Sequence, residues 1–225
     1  MSLKKELASL VKTEYDELVL RHLEGVAKAT KKYKFEKRIS DLAYEAALLH
    51  DVGKFYIIFT KIYTKEQMEK YRIGLLHSIT GAYYLKYMKN NLLKNLKYPE
   101  STIKLVACHS VFYTNKKDLV NLGQKSIPMP LPLPRIRKQL YVIRGNKPNE
   151  TKILEIEGFK KFEKIALYIL MLADHSIIEG KEVPIEKRLD QIFGRYKDVI
   201  SEEGRKSYKM RIEKIKKYIS KLENA

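Results

Sequence analysis

Residues 165–174 read IALYILMLAD, a run with no polar face at helical spacing until a carboxylate closes it. A helix of that pattern has to be covered on every side, so the chain must wrap it in further elements. Asp174 adds a second demand. A carboxylate behind such a run is strongly destabilising if buried alone, so it requires a cation or strong hydrogen-bond donors.

Four other segments have the spacing to supply that cover. Tyr15, Leu18, His22, Val26 and Ala29 recur at three- and four-residue steps and mark the inward face of a first long helix. A second is expected from about Phe35 to Leu49, with Ile39, Leu42, Ala43, Ala46 and Leu49 inward and Gly53 as its stop. A third begins near Leu75 and carries Leu76, Thr80, Tyr84, Leu85 and Met88. A fourth follows Pro99 and places Ile103, Val106 and Ala107 inward. The apolar run itself belongs to a fifth helix, expected from about Phe159 to Ile178. Between the fourth and fifth the texture changes. SIPMPLPLPRIR alternates proline with apolar residues and reads as extended chain. QLYVIR and KILEIE then form two β-type runs joined by GNKPNET, a hairpin pattern. From Glu202 onward a basic amphipathic helix has Tyr208, Ile212, Ile215, Ile219 and Leu222 as its stripe. The expectation is one all-α domain over residues 1–225, a helical bundle with a proline-rich and hairpin insert at about 123–157 and a C-terminal helix at 201–225.

The single cysteine, Cys108, excludes an intrachain disulfide and a thiolate cage for zinc. It reads as a small buried apolar side chain. Any metal ligands must therefore be imidazoles and carboxylates, which suit a borderline or hard divalent ion. Lys and Arg number 45 against 27 Asp and Glu, a net charge of +18. That excess favours polyanions, nucleic acid first among them. A thermophile's composition accounts for the same excess without any partner. No apolar run approaches the ~18 residues of a membrane span, and the N-terminus lacks a signal-peptide core, so a cytoplasmic protein is expected, with no membrane partner.

The chain has only five histidines, and their placement carries the chemistry. His22 lies on the first helix, His50 and Asp51 adjoin at the end of the second within LLHDVGK, His77 opens the third, and His109 closes the fourth. The fifth, His175, follows Asp174. A lone histidine on an apolar face is more often a satisfied core residue than a ligand. Four such histidines with two carboxylates, all at helix ends or on buried faces, are better satisfied together by a shared metal centre. An adjacent His-Asp pair just beyond a helix can turn both side chains to one point, and its carboxylate can bridge two cations. Two cations about 3.5–4 Å apart activate water and neutralise both attacking and leaving oxygens. Lys54, just beyond, is placed to contact a non-bridging phosphate oxygen.

In this order, H…HDxGK…H…H…D resembles the HD superfamily of metal-dependent phosphohydrolases, over about residues 15–180. The resemblance implies an all-helical HD-domain fold and one or two divalent ions (Mn, Ni, Co, Fe or Mg). It implies His22, His50, Asp51 and Asp174 on a first metal and Asp51, His77 and His109 on a second. Asp51 and Lys54 are the expected catalytic residues, with Lys54, Ser110 and His175 as substrate contacts.

Within the superfamily, ALLHDVGKFYIIF, the later LLHSITGAYYLK and the long insert are similar to the stand-alone HD nuclease of type I CRISPR systems, the partner of a separate helicase. At the fourth motif that branch often has two consecutive histidines, where this chain has His109-Ser110. The function so implied is cleavage of single-stranded nucleic acid, DNA first, alongside a helicase and a CRISPR effector complex. A small-nucleotide phosphohydrolase of the dinucleoside-tetraphosphatase type shares HSITGA and a single histidine like His109, and stands as the alternative. A non-catalytic nucleic-acid-binding module of the same fold is a third reading. Tyr56, Tyr63, Tyr83, Tyr84 and Tyr113 lie near the motifs, where some rings can stack on bases and most are expected to pack.

Overall fold

A computed structural model describes residues 2–58, 77–88, 90–110, 138–144, 151–195, 197 and 200–224. Its helices are α1 (Leu3–Ser9), α2 (Glu14–Thr30), α3 (Lys37–Leu49), α4 (His77–Tyr87), α5 (Pro99–Cys108), α6 (Lys161–Asp174), α7 (Ile185–Arg195) and α8 (Glu202–Glu223), with short 3-10 turns at Val52–Lys54 and Leu92–Asn95. Two antiparallel hairpins complete the order: β1 (Lys138–Arg144) with β2 (Thr151–Glu157), and β3 (Ile177–Ile178) with β4 (Lys181–Glu182). The expected all-helical bundle and its insert hairpin are both present, the latter pairing Lys138 with Glu157 through Arg144 with Thr151. The proline-rich run at 126–137, Tyr63, Leu75, Leu76 and Tyr113 lie outside the described residues.

The apolar run sits where its composition requires. α6 packs against α2, α3, α5 and α8, and Ala166, Leu167, Leu170, Met171 and Ala173 are entirely buried. Each large side chain so covered contributes roughly 1.5–3 kcal/mol, which makes α6 the axis of the bundle. α8 closes one flank with Tyr208, Ile212, Ile215 and Ile219 buried and Leu222 partly so. Ser201 caps it by accepting a hydrogen bond from the Gly204 N–H at 3.1 Å.

Three expectations shift. α2 buries His22, Val26 and Ala29 as expected, together with Val19, Leu23 and Ala27, but its first turn departs, with Tyr15 and Leu18 55% and 37% exposed. The cause is Asp16, a fully buried carboxylate in a capping box with Thr13, which turns the first turn inward on its polar side. α6 stops at Asp174 rather than Ile178. Ile177 and Ile178 pair with β4 instead, around a turn where Glu179 and Gly180 have φ of 50° and 80°. The β-branched pair and a glycine at positive φ favour that hairpin over another helical turn. α3 begins at Lys37, two residues after the expected start.

Candidate metal centre

Each motif residue is delivered by the end or the buried face of a helix. His22 comes from the middle of α2; His50 and Asp51 immediately follow α3; His77 opens α4, His109 follows α5, and Asp174 ends α6. His50, Asp51, His77 and His109 are at most 3% exposed. Two of the rings are anchored identically. The Nδ1–H of His50 donates to Ala47 O and that of His109 to Val106 O, both at 2.8 Å. Those i to i−3 bonds use the free carbonyls of a helix end and fix the neutral tautomer, so that each Nε2 presents a lone pair inward.

Asp51 lies at the centre and divides its two oxygens. Oδ2 faces His22 Nε2 at 3.6 Å, His50 Nε2 at 3.5 Å and the Lys54 ammonium at 2.6 Å. Oδ1 faces His77 Nε2 at 2.9 Å and His109 Nε2 at 3.5 Å. Asp174 Oδ1 closes the first side, 3.0 Å from His22 Nε2 and 3.6 Å from His50 Nε2. The Nε2 atoms of His77 and His109 approach to 3.0 Å. Three sets of donors lie within 4.8 Å of one another: His22, His50 and Asp51; His50, His109 and Asp174; and Asp51, His77 and His109.

The electrostatics call for a cation. Burial opposes the charge on Asp51, but Lys54, His50 and His77 outweigh it and hold the carboxyl well below the usual carboxylate range. Asp174 is likewise held low against burial, by His22 and His50. Burial lowers His22 and His109, and burial with the Lys54 ammonium pushes His77 down to about 4. Those rings stay neutral, the form that ligates metal. For His50 burial again opposes charge, yet Asp51 and Asp174 prevail and raise its pKa. Its Nε2 is buried without a hydrogen bond among the described residues, with the Asp51 and Asp174 oxygens at 3.5 and 3.6 Å. A divalent ion satisfies that atom and both carboxylates at once, and an all-imidazole and carboxylate donor set suits such an ion.

The other expected contacts fall differently. The Lys54 side chain is 20% exposed and stays charged, since Asp51 offsets the burial that opposes its ammonium. Ser110 Oγ is buried without a hydrogen bond among the described residues. His175 is 1% exposed; its Nδ1–H donates to Met171 O at 2.6 Å and its Nε2 accepts from the Tyr208 hydroxyl at 2.8 Å. With both nitrogens engaged it fastens α8 to the end of α6. Cys108 is buried, and Tyr83 and Tyr84 pack in the core while Tyr56 is 52% exposed. Two supporting residues escaped the sequence reading. Asp16 pins the HDVGK turn through Tyr56 N–H, and T-x-x-D at Thr13–Asp16 was a legible capping signal. Tyr208 was legible only as part of an apolar stripe.

No helix among the described residues is long and apolar enough to cross a membrane. No curated protein and no solved structure matches the chain. The family model of the HD domain matches residues 19–175, more than two thirds of the sequence and every residue of the cluster. The chain therefore belongs to the HD-domain family, and its His/Asp cluster fits a metal-dependent phosphohydrolase.

Proposed function

We propose that this chain is a nuclease that hydrolyses single-stranded nucleic acid, DNA first, in CRISPR interference, working with a separate helicase and effector complex. The observation that carries the step from phosphohydrolase to nuclease is the net charge of +18, which draws polyanions to the chain. His22, His50, Asp51 and Asp174 would hold one divalent cation, and Asp51, His77 and His109 a second. Such cations supply an activated water and neutralise charge on the phosphoryl oxygens. The chain's own residues do the rest. The carbonyl anchors on His50 and His109 keep Nε2 turned inward without further reorganisation. Lys54, tethered to Asp51 and partly open to solvent, offers its ammonium to a non-bridging oxygen, and the Ser110 hydroxyl, without a hydrogen bond among the described residues, is a donor beside His109.

The burial of the cluster favours a second reading, a small-nucleotide phosphohydrolase. Only the side chains of Lys54 and Asp174, 20% and 15% exposed, open appreciably to solvent. The test is incubation of single-stranded DNA and a panel of mono- and dinucleotides with Mn²⁺, Co²⁺, Ni²⁺ or Mg²⁺, with Asp51→Ala as the blank. Chelator-sensitive DNA cleavage that falls steeply with salt supports the nuclease. Salt-insensitive turnover of a small nucleotide without DNA cleavage transfers the assignment.

A further inference from the structure

The buried carboxylate of Asp16 joins two segments that are 40 residues apart in sequence. Its Oδ2 accepts from the N–H groups of Lys12 and Thr13 at 2.9 and 3.0 Å, and its Oδ1 accepts from Tyr56 N–H at 2.8 Å. The second bond fixes the chain just past the 3-10 turn against the first turn of α2. Tyr15 adjoins Asp16 on one segment, and Tyr56 is on the other. They are the two most exposed tyrosines among the described residues, at 55% and 52%. Lys54, two residues before Tyr56, is ion-paired to Asp51 at 2.6 Å. The backbone that carries both tyrosines is thus held at the turn that carries Lys54, whose side chain is 20% exposed.

Resting on the nucleic-acid reading above, we propose that Tyr15 and Tyr56 form a stacking rim that holds an unpaired nucleobase while its phosphate meets Lys54 and the cluster. Every base has a π-face, so such a rim tolerates sequence. A base inside a duplex has both faces covered by its neighbours and cannot use the rim. The pair thereby supplies a preference for single strands that the net charge alone does not give, since charge attracts duplex and single strand alike.

Binding of a fluorescein-labelled oligothymidylate, followed by anisotropy with chelator present, tests the rim apart from turnover. Tyr15→Ala and Tyr56→Ala are each expected to weaken binding about tenfold. In Mn²⁺ they raise KM for cleavage with kcat little changed. Tyr15→Phe and Tyr56→Phe keep the rings and retain wild-type binding. An oligomer of the same length made of abasic residues binds wild-type protein as weakly as the alanine variants bind oligothymidylate. Wild-type protein that binds normal and abasic oligomers equally, or alanine variants that bind as wild type does, overturns the rim and leaves the nuclease reading standing. If wild-type protein neither binds nor cleaves the oligothymidylate, both fall together.

Discussion

Gly53, the glycine of HDVGK, is where the architecture of the site can be broken with a single methyl group. A Cβ built there lies 2.1 Å from His77 O and 2.5 Å from Gly81 N, both backbone atoms of α4. Ordinary contact begins near 3.4 Å, so Gly53→Ala has to drive the 3-10 turn and α4 apart by roughly 1 Å in an interior packed at crystal density. Overpacking of this kind costs about 1–3 kcal/mol, and the upper end applies because neither obstacle is a side chain that can swing away. The same seam is spanned by the 2.9 Å contact between Asp51 Oδ1 and His77 Nε2. Gly53→Ala should therefore lower the urea unfolding free energy of metal-free protein by about 3 kcal/mol. It should also weaken Mn²⁺ binding in calorimetric titrations by tenfold or more, on the order of a displaced ligand's support. Gly194→Ala is the matched control: it lies within α7 with no atom of the described residues inside 4 Å of its added Cβ, and it should be neutral or stabilising by up to ~1 kcal/mol. A Gly53→Ala protein that unfolds with wild-type free energy and binds Mn²⁺ normally would refute the close approach.

His77 falls from 6.5 to about 4 on folding, so between those values the unfolded chain binds the extra proton. Stability is then full above about pH 6.5 and lost on acidification toward pH 4, on the order of 3 kcal/mol; urea midpoints in chelator across that window, with a flatter slope in His77→Asn, check it. Lys54→Met removes the ammonium competing for Asp51 Oδ2 at 2.6 Å; metal should bind more tightly by calorimetry while turnover falls roughly 100-fold. Tyr208→Phe leaves His175 Nε2, 2.8 Å from the lost hydroxyl, buried and unsatisfied, and should cost about 1–3 kcal/mol in denaturant titrations.

The residues that hold the site were legible because they are rare and badly placed for anything else. Four histidines at helix ends and a carboxylate behind IALYILMLA admit few satisfied arrangements, and the cluster brings together all six expected ligands. Less legible was what orients them. Hydropathy placed Tyr15 and Leu18 inward because it counts apolar atoms, whereas Asp16 is inward because three backbone donors converge on it. His175 was expected as a substrate contact, and the bond that holds it to α8 was not legible. Its Tyr208 partner is 33 residues downstream, and nothing in local spacing reports a bond of that kind. The end of α6 was misplaced for a simpler reason: Ile177 and Ile178 continue an apolar pattern equally well as strand or helix.

A cluster drawn from five helices would tie the stability of the fold to any cation it holds. The ligands span positions 22 to 174, and none of the donor triads comes from a single stretch of chain. An ion bound there acts as a rivet through the whole bundle, and each tenfold rise of free ion above its dissociation constant adds about 1.4 kcal/mol to the folded state. Scarcity of that ion in the cell would then shorten the lifetime of the protein itself, well before catalysis becomes the limiting concern.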